Sequence, residues 1–424
     1  MGVIVIRKRT IFCAVIIAVL ALASCPGGDG DVDTPQGAAP DITKKALNGQ
    51  AVINTLWCEG AWQDPRSFMG YRLKESGTPF FDRYVMLYGG RIEYRDCPTN
   101  PREGDEHCQK VGLHLHHPSR QYRILEEAAT YIKPIQDVGQ KFLMALVPDG
   151  EGVAHGTLYS WPMQDVYDWE TETGQPYPFG PAATQKFIDD IKEAVAKYHI
   201  DGIGFDDEYG NNGPQNLYVY PNDQNRYSNA SARNAAWERG GKNMFRLCYD
   251  LKKQLGKDFI LECYEIRYGT YMPERMRLAE LDPAVIPDSA EDKWVYLRDV
   301  LDLSYQPMYG NWSTDSGSYH MPRRQFAPIS VDMGSSSATT PLPPPTANGI
   351  DVQVQDLFDG KYGGIMYFSM SSRAGYKNSH ERGGQFEDYF GGGWEPERYL
   401  SRISRVLYGE EVEYIGDDYQ LPWN

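Results

Sequence analysis

The chain has 424 residues, a formal charge of −16 and 41% hydrophobic residues, a composition that excludes wholesale disorder. An acidic chain with no clustered Lys and Arg repels phosphate backbones, so nucleic acid is not expected as a partner. Tyr leads the aromatics with 30 residues, and its flat apolar face with a hydroxyl at the edge suits half-wet surfaces such as sugar rings.

Arg7, Lys8 and Arg9 precede an apolar run from Thr10 to Ala23, the pattern of a secretory signal over residues 1–24 and too short to span a bilayer comfortably. Leu22-Ala23-Ser24-Cys25 resembles the bacterial lipobox. That resemblance implies that Cys25 is lipidated, becomes the first mature residue and holds the chain to a membrane. Residues 25–50 open with Gly and Asp and have little to bury, so they read as a flexible tether. Acids directly behind a lipidated Cys resemble the export signals of surface lipoproteins, so the expected location is the surface of the cell outer membrane.

Five cysteines follow Cys25. Cys97 and Cys108 bracket a polar loop and are the best disulfide candidates, while Cys58, Cys248 and Cys263 read as buried apolar fillers. With no CxxC pair, a thiolate zinc site is not expected.

From residue 51 onward, short β-rich runs alternate with helical patterns. The predicted strands are Val52 to Trp57, Tyr84 to Tyr88, Phe142 to Val147, Ile200 to Asp206, Phe259 to Tyr264, Leu301 to Met308, Phe326 to Val331 and Gly364 to Met370. Helical spacing marks Arg120 to Ile132, Ala182 to His199, Ala230 to Leu255 and Pro396 to Leu407. In the second of these, Phe187, Ile188, Ile191, Ala194, Val195 and Tyr198 form one apolar face. Eight β-then-α steps predict an α/β fold, a (β/α)8 TIM barrel, as one catalytic domain over residues 51–424. The second and seventh units are the least regular, and no internal repeat is visible beyond the alternation itself.

Such a barrel carries its chemistry on loops at the C-terminal ends of its strands. The long polar or aromatic segments Gly89 to His117, Pro148 to Gly180, Glu208 to Ser228, Gly310 to Met321 and Gly334 to Thr346 are the expected loops.

The most informative segment is Asp201-Gly202-Ile203-Gly204-Phe205-Asp206-Asp207-Glu208. Strand side chains alternate, so Gly202, Gly204, Asp206 and Glu208 share one face. If that face points inward, two carboxylates stack at the barrel mouth. Their titrations are then forced apart, which suits acid-catalysed glycosidic cleavage.

This segment resembles the DGxDxDxE signature of glycoside hydrolase family 18, and its continuation through Tyr209, Gly210 and Asn211 is most similar to the endo-β-N-acetylglucosaminidase branch. The resemblance implies a retaining mechanism in which the substrate's own 2-acetamido oxygen is the nucleophile. It implies that Glu208 is the general acid and later base, and that Asp206 orients the acetamido group. A Tyr after the sixth strand would bond the acetamido carbonyl. Tyr309 is the choice, with Gln306 as its companion and Tyr305 as the fallback.

Tyr209, Asn211, Trp57 and Phe368 complete the candidate substrate contacts. Gly204 stands where the family usually has its first inward Asp, and Phe368 where chitinases usually carry a Trp under the reactive sugar. The implied substrate is the GlcNAcβ1-4GlcNAc core of N-linked glycans on glycoproteins. The alternatives are a chitinase acting on GlcNAc oligomers and a non-catalytic surface glycan-binding protein. No cofactor is called for, and a monomer is expected. His114-Leu115-His116-His117 could offer two metal ligands, but these are read as loop histidines and no metal is expected.

Overall fold

The computed structural model describes residues 44–59, 64–94, 111–115, 120–146, 181–207, 230–265, 272–285, 287, 289, 293–305, 319–332, 350–368, 396–416, 419 and 422. Eight parallel strands form the barrel: β1 (Ile53–Glu59), β2 (Arg83–Tyr94), β3 (Lys141–Leu146), β4 (Gly202–Asp207), β5 (Ile260–Glu265), β6 (Leu303–Tyr305), β7 (Phe326–Ala327 and Ile329–Asp332) and β8 (Gly364–Phe368). Each falls within one or two residues of a predicted start, because β-branched and aromatic runs bounded by turn residues mark them. The sixth was expected to reach Met308, but the described residues end at Tyr305.

β1 pairs with β2 on one side and β8 on the other. The ring closes through β7, which is split by Pro328. Its first half pairs with β6 and its second with β8. Proline has no amide hydrogen to give a ladder, so the strand steps sideways there. That step makes the seventh unit irregular in the sequence.

The second unit departs from expectation in another way. Gly89 to His117 was expected as a loop, yet β2 runs on to Tyr94 and pairs antiparallel with Val111–Leu115. His114 therefore stands on a strand opposite Arg91 and is not a loop histidine; His116 and His117 lie outside the described residues.

The helices are α1 (Arg120–Glu126), α2 (Ala128–Tyr131), α3 (Lys133–Asp137), α4 (Pro181–Tyr198), α5 (Ala230–Leu255), α6 (Leu278–Leu281), α7 (Leu297–Val300), α8 (Ile350–Phe358) and α9 (Pro396–Tyr408). The single helix expected over Arg120 to Ile132 is broken. Beyond it, Pro134 cannot donate to the Thr130 carbonyl, so α3 starts afresh. α4 buries Ile188, Ile191, Ala194 and Tyr198 against the sheet, as its spacing predicts. It ends at His199, whose φ of 57° turns the chain toward β4. No helix among the described residues is long and apolar enough to cross a membrane.

Apolar residues form two layers. Outward-facing side chains such as Leu56, Met86, Phe142 and Ile203 pack under the helices, while Trp57, Val85, Leu143, Leu303 and Met366 fill the barrel interior. Cys58, Cys248 and Cys263 are buried thiols within the outer layer, matching their reading as fillers. Cys97 and Cys108 lie outside the described residues. Residues 44–50, assigned to the tether by composition, pack against the barrel, with Lys44 and Ala46 buried.

One device recurs at the N-terminal rim. Asp82, Asp201 and Asp302 each stand just before an even-numbered strand. Each takes the backbone N–H of a residue on the preceding strand: Asn54 (2.7 Å), Phe142 (2.9 Å) and Leu261 (2.7 Å) respectively. Each also donates its own N–H to the carbonyl of that same residue. A lysine neutralises every one of them: Lys44 on Asp82, Lys141 on Asp201 and Lys252 on Asp302. The fourth equivalent place, before β8, is Gly363, where any Cβ would run into the Arg324 carbonyl. This threefold pattern is a repeat that inspection of the sequence does not reveal.

Candidate active site

β4 carries the site because its inward face is cleared of side chains until its end. A Cβ on Gly202 would meet Ile260 Cβ at 2.7 Å, and one on Gly204 would meet Trp57 Cη2 at 2.9 Å and Val85 Cγ1 at 3.1 Å. Both glycines thus lie against the packed interior. Alternation puts Asp206 on the same face, one step nearer the mouth. Asp206 is half-buried, its Oδ1 is shielded from solvent, and its backbone is in register with Tyr264 of β5. Asp207 ends the strand in register with Glu265. Asp201, the first acid of the segment, belongs to the rim device at the far end of the barrel and has no part in the mouth.

Beneath Asp206 lies an aromatic layer. Trp57 is 1% exposed, with its ring centroid 5.6 Å from Tyr264 and 5.9 Å from Tyr305 in an edge-on contact. Its indole Nε1 is buried with no hydrogen-bond acceptor among the described residues. Trp57 was expected to line a sugar subsite. Here it is buried between Tyr264 and Tyr305.

Below that layer sits a charged network that the sequence reading missed. Glu262 of β5 is fully buried, ion-paired with Arg83 of β2 and bonded to the Tyr305 hydroxyl at 2.7 Å. The same hydroxyl lies 2.7 Å from Thr55 Oγ1. With one hydrogen to give, Tyr305 donates to the carboxylate and accepts from the threonine. Burial pushes the Glu262 carboxyl above its ordinary range, against the pull of Arg83 and Tyr305. Burial likewise holds the Tyr305 phenol well above its usual value. The signal was present as an acid at an inward position of a strand that otherwise reads Ile260, Leu261, Cys263, Tyr264.

Tyr305, the fallback of the two candidate tyrosines, ends β6 inside this network. It is wholly buried, with its hydroxyl turned into the barrel. Tyr309, Gln306, Glu208, Tyr209, Asn211 and Cys25 lie outside the described residues. Phe368 ends β8 in register with Trp57, which places its backbone at the mouth. Among the described residues no cluster of His, Cys, Asp and Glu could hold a metal ion.

No family model matches the chain. Endo-beta-N-acetylglucosaminidase F1 of Elizabethkingia meningoseptica is 27% identical over 174 residues, covering 40% of this chain and 39% of the relative. The match therefore spans about two fifths of that relative's length. Among solved structures, the chain is similar to Bacteroides thetaiotamicron EndoBT-3987 with Man5GlcNAc product, at a TM-score of 0.48 and 19% identity over 90% of this chain and 66% of that one. It is also similar to a fungal endo-beta-N-acetylglucosaminidase from glycosyl hydrolase family 18, at a TM-score of 0.40 and 10% identity over 84% of this chain and 98% of that one. Both TM-scores lie under 0.5, so the barrel rests on its own strand pairing. Over two fifths of its length, what this chain is similar to is an endo-β-N-acetylglucosaminidase.

Proposed function

We propose that the protein is an endo-β-N-acetylglucosaminidase that cuts the GlcNAcβ1-4GlcNAc core of N-linked glycans, anchored by a lipid on Cys25 to the outer surface of the cell. The observation that carries this reading is the position of Asp206 on the inward face at the C-terminal end of β4, above two glycines that open the barrel. This is the end of the fold where barrel enzymes keep their chemistry. Glu208 follows two residues later in the sequence. The partial likeness to an endo-β-N-acetylglucosaminidase points the same way.

In this mechanism Asp206 orients the 2-acetamido group, whose carbonyl oxygen attacks the anomeric carbon while Glu208 gives its proton to the departing glycosidic oxygen. The bond to the leaving sugar breaks and an oxazolinium ion forms. Water then opens that ion, losing its proton to the Glu208 carboxylate, so configuration is retained. Tyr309 steadies the acetamido carbonyl, with Gln306 beside it. Tyr209, Asn211 and Phe368 contact the glycan.

The test is incubation with a panel of glycoproteins and mass spectrometry of the released glycans. Glycan release by the wild type, lost in Glu208→Gln with the circular dichroism spectrum unchanged, is the expected result; full release by that variant rejects the assignment. Faster turnover of soluble chitooligosaccharides than of glycoprotein would move the substrate to GlcNAc polymers, and binding without product would leave a lectin. For the anchor, Cys25→Ser should abolish labelling by a fatty-acid analogue. Label retained in that variant overturns the lipidation reading.

A further inference from the structure

The inward face of β4 holds one acid at its end and, two residues before it, a glycine whose missing side chain is replaced by a ring from the other side of the barrel. Trp57 enters from β1, and its six-membered ring lies where the side chain of residue 204 would be, 2.9 Å and 3.0 Å from a built Cβ through Cη2 and Cζ2. The indole is held on two sides. Tyr264, the register neighbour of Asp206, lies against it. Tyr305, whose hydroxyl is tied to Glu262 and Thr55, meets it edge-on. Its N–H is a buried donor with no acceptor among the described residues, a costly arrangement in a dry interior.

We propose that Trp57 is the positioning residue for Asp206. It makes the floor on which the acid stands, taking the volume that a second inward carboxylate would need, and its rigid ring fixes the height and tilt of Asp206 at the mouth. The Glu262–Tyr305–Thr55 network below keeps that ring from sinking, so the chain Glu262, Tyr305, Trp57, Asp206 passes rigidity from the barrel centre to the reacting end. This revises Trp57 from a sugar contact to a residue that acts through Asp206. It rests on the glycosidase reading of Asp206 and Glu208.

The test is a double-mutant cycle in glycan release, with wild type and Glu208→Gln run in parallel. Trp57→Phe, which keeps an aromatic ring but shortens it and removes the N–H, should lower kcat roughly tenfold to a hundredfold, the scale of about a 1 Å misplacement, while KM stays within about threefold. In an Asp206→Asn background the same change should produce no further loss, because the residue acts through that carboxylate. Gly204→Ala is the second variant, since its Cβ presses on the same ring without removing it; it should show the same dependence on Asp206. Losses that multiply in the double variants, or unchanged kcat in both single variants, overturn the inference. If Trp57→Phe does not fold, the cycle with Gly204→Ala decides. A wild type that releases no glycan rejects the glycosidase reading itself, a separate outcome from either of these.

Discussion

Tyr305 and Glu262 meet inside the barrel with 2.7 Å between the phenol oxygen and Oε2, each wholly buried and each on the inward face of a neighbouring strand. A carboxylate in such a place needs its oxygens occupied, and here Arg83 takes one and Tyr305 the other.

Removing one partner of this network should be more harmful than its contact distance implies. Glu262→Ala leaves the Arg83 guanidinium buried without its counter-ion and is expected to cost about 3–5 kcal/mol in urea unfolding. Tyr305→Phe removes only the hydroxyl and is expected to cost roughly 1–3 kcal/mol. Equal losses for the two would contradict the ion pair as the larger element.

The same tyrosine separates structure from chemistry in kinetics. Tyr305→Phe should lower kcat and the melting temperature together, because its hydroxyl ties the prop beneath Trp57 to Glu262 and Thr55, whereas Tyr309→Phe should lower kcat without lowering the melting temperature. A reversed pattern would return the acetamido contact to Tyr305.

An acid at position 204, as in the signature this segment resembles, should bring no gain here. Gly204→Asp brings a Cβ to within 2.9–3.1 Å of Trp57 and Val85 and then a carboxylate into an apolar layer. Its melting temperature should fall below that of Gly204→Ala, and glycan release should fall with it. A stable, active Gly204→Asp would show that the indole gives way easily.

The three rim aspartates should behave as independent staples. Asp82→Ala, Asp201→Ala and Asp302→Ala each strip a backbone N–H and a lysine of their acceptor and are expected to cost roughly 1–3 kcal/mol apiece. Because they bridge separate strand pairs, a double variant should lose close to the sum. KM for glycan should not move, and a tenfold rise in KM for Asp201→Ala would place it in the site after all.

Acid unfolding offers a test with a defined sign. Glu126 accepts from Lys197, Tyr122 and Tyr198, and these bonds hold its carboxyl down at about 2 in place of 4.5. A depressed carboxylate binds fewer protons folded than unfolded, so its stabilising contribution is present above about pH 4.5 and fades as pH falls toward about 2. Glu126→Gln should therefore flatten the stability curve between those limits and leave the curve near neutral pH parallel to wild type. An acid limb of unchanged steepness would remove Glu126 from the account.

The barrel was legible because burial leaves a simple record: runs bounded by turn residues for strands, apolar faces at helical spacing for α4 and α9. Asp206 was legible for the same reason, since alternation along a strand fixes a face. The split at Pro328, the breaks between α1, α2 and α3, and the hairpin on β2 were not, as each depends on what a backbone group finds across space. Arg83, Glu262 and Thr55 lie on three strands far apart in sequence, so their association exists only after the ring has closed. Trp57 was read as a sugar platform because a tryptophan at a strand end near the mouth invites it. What the sequence could not express was that Gly204, on the far wall, leaves the hollow this ring fills.

Pro328 gives the cylinder a seam. β6 grips the strand on one side of it and β8 on the other, so no continuous ladder runs across that point. The Gly363 N–H, just before β8, reaches across to the Phe326 carbonyl at 2.9 Å and ties the first half to that flank as well. The hoop therefore turns, at this one place, on two partial ladders that meet at a residue with no amide hydrogen to give.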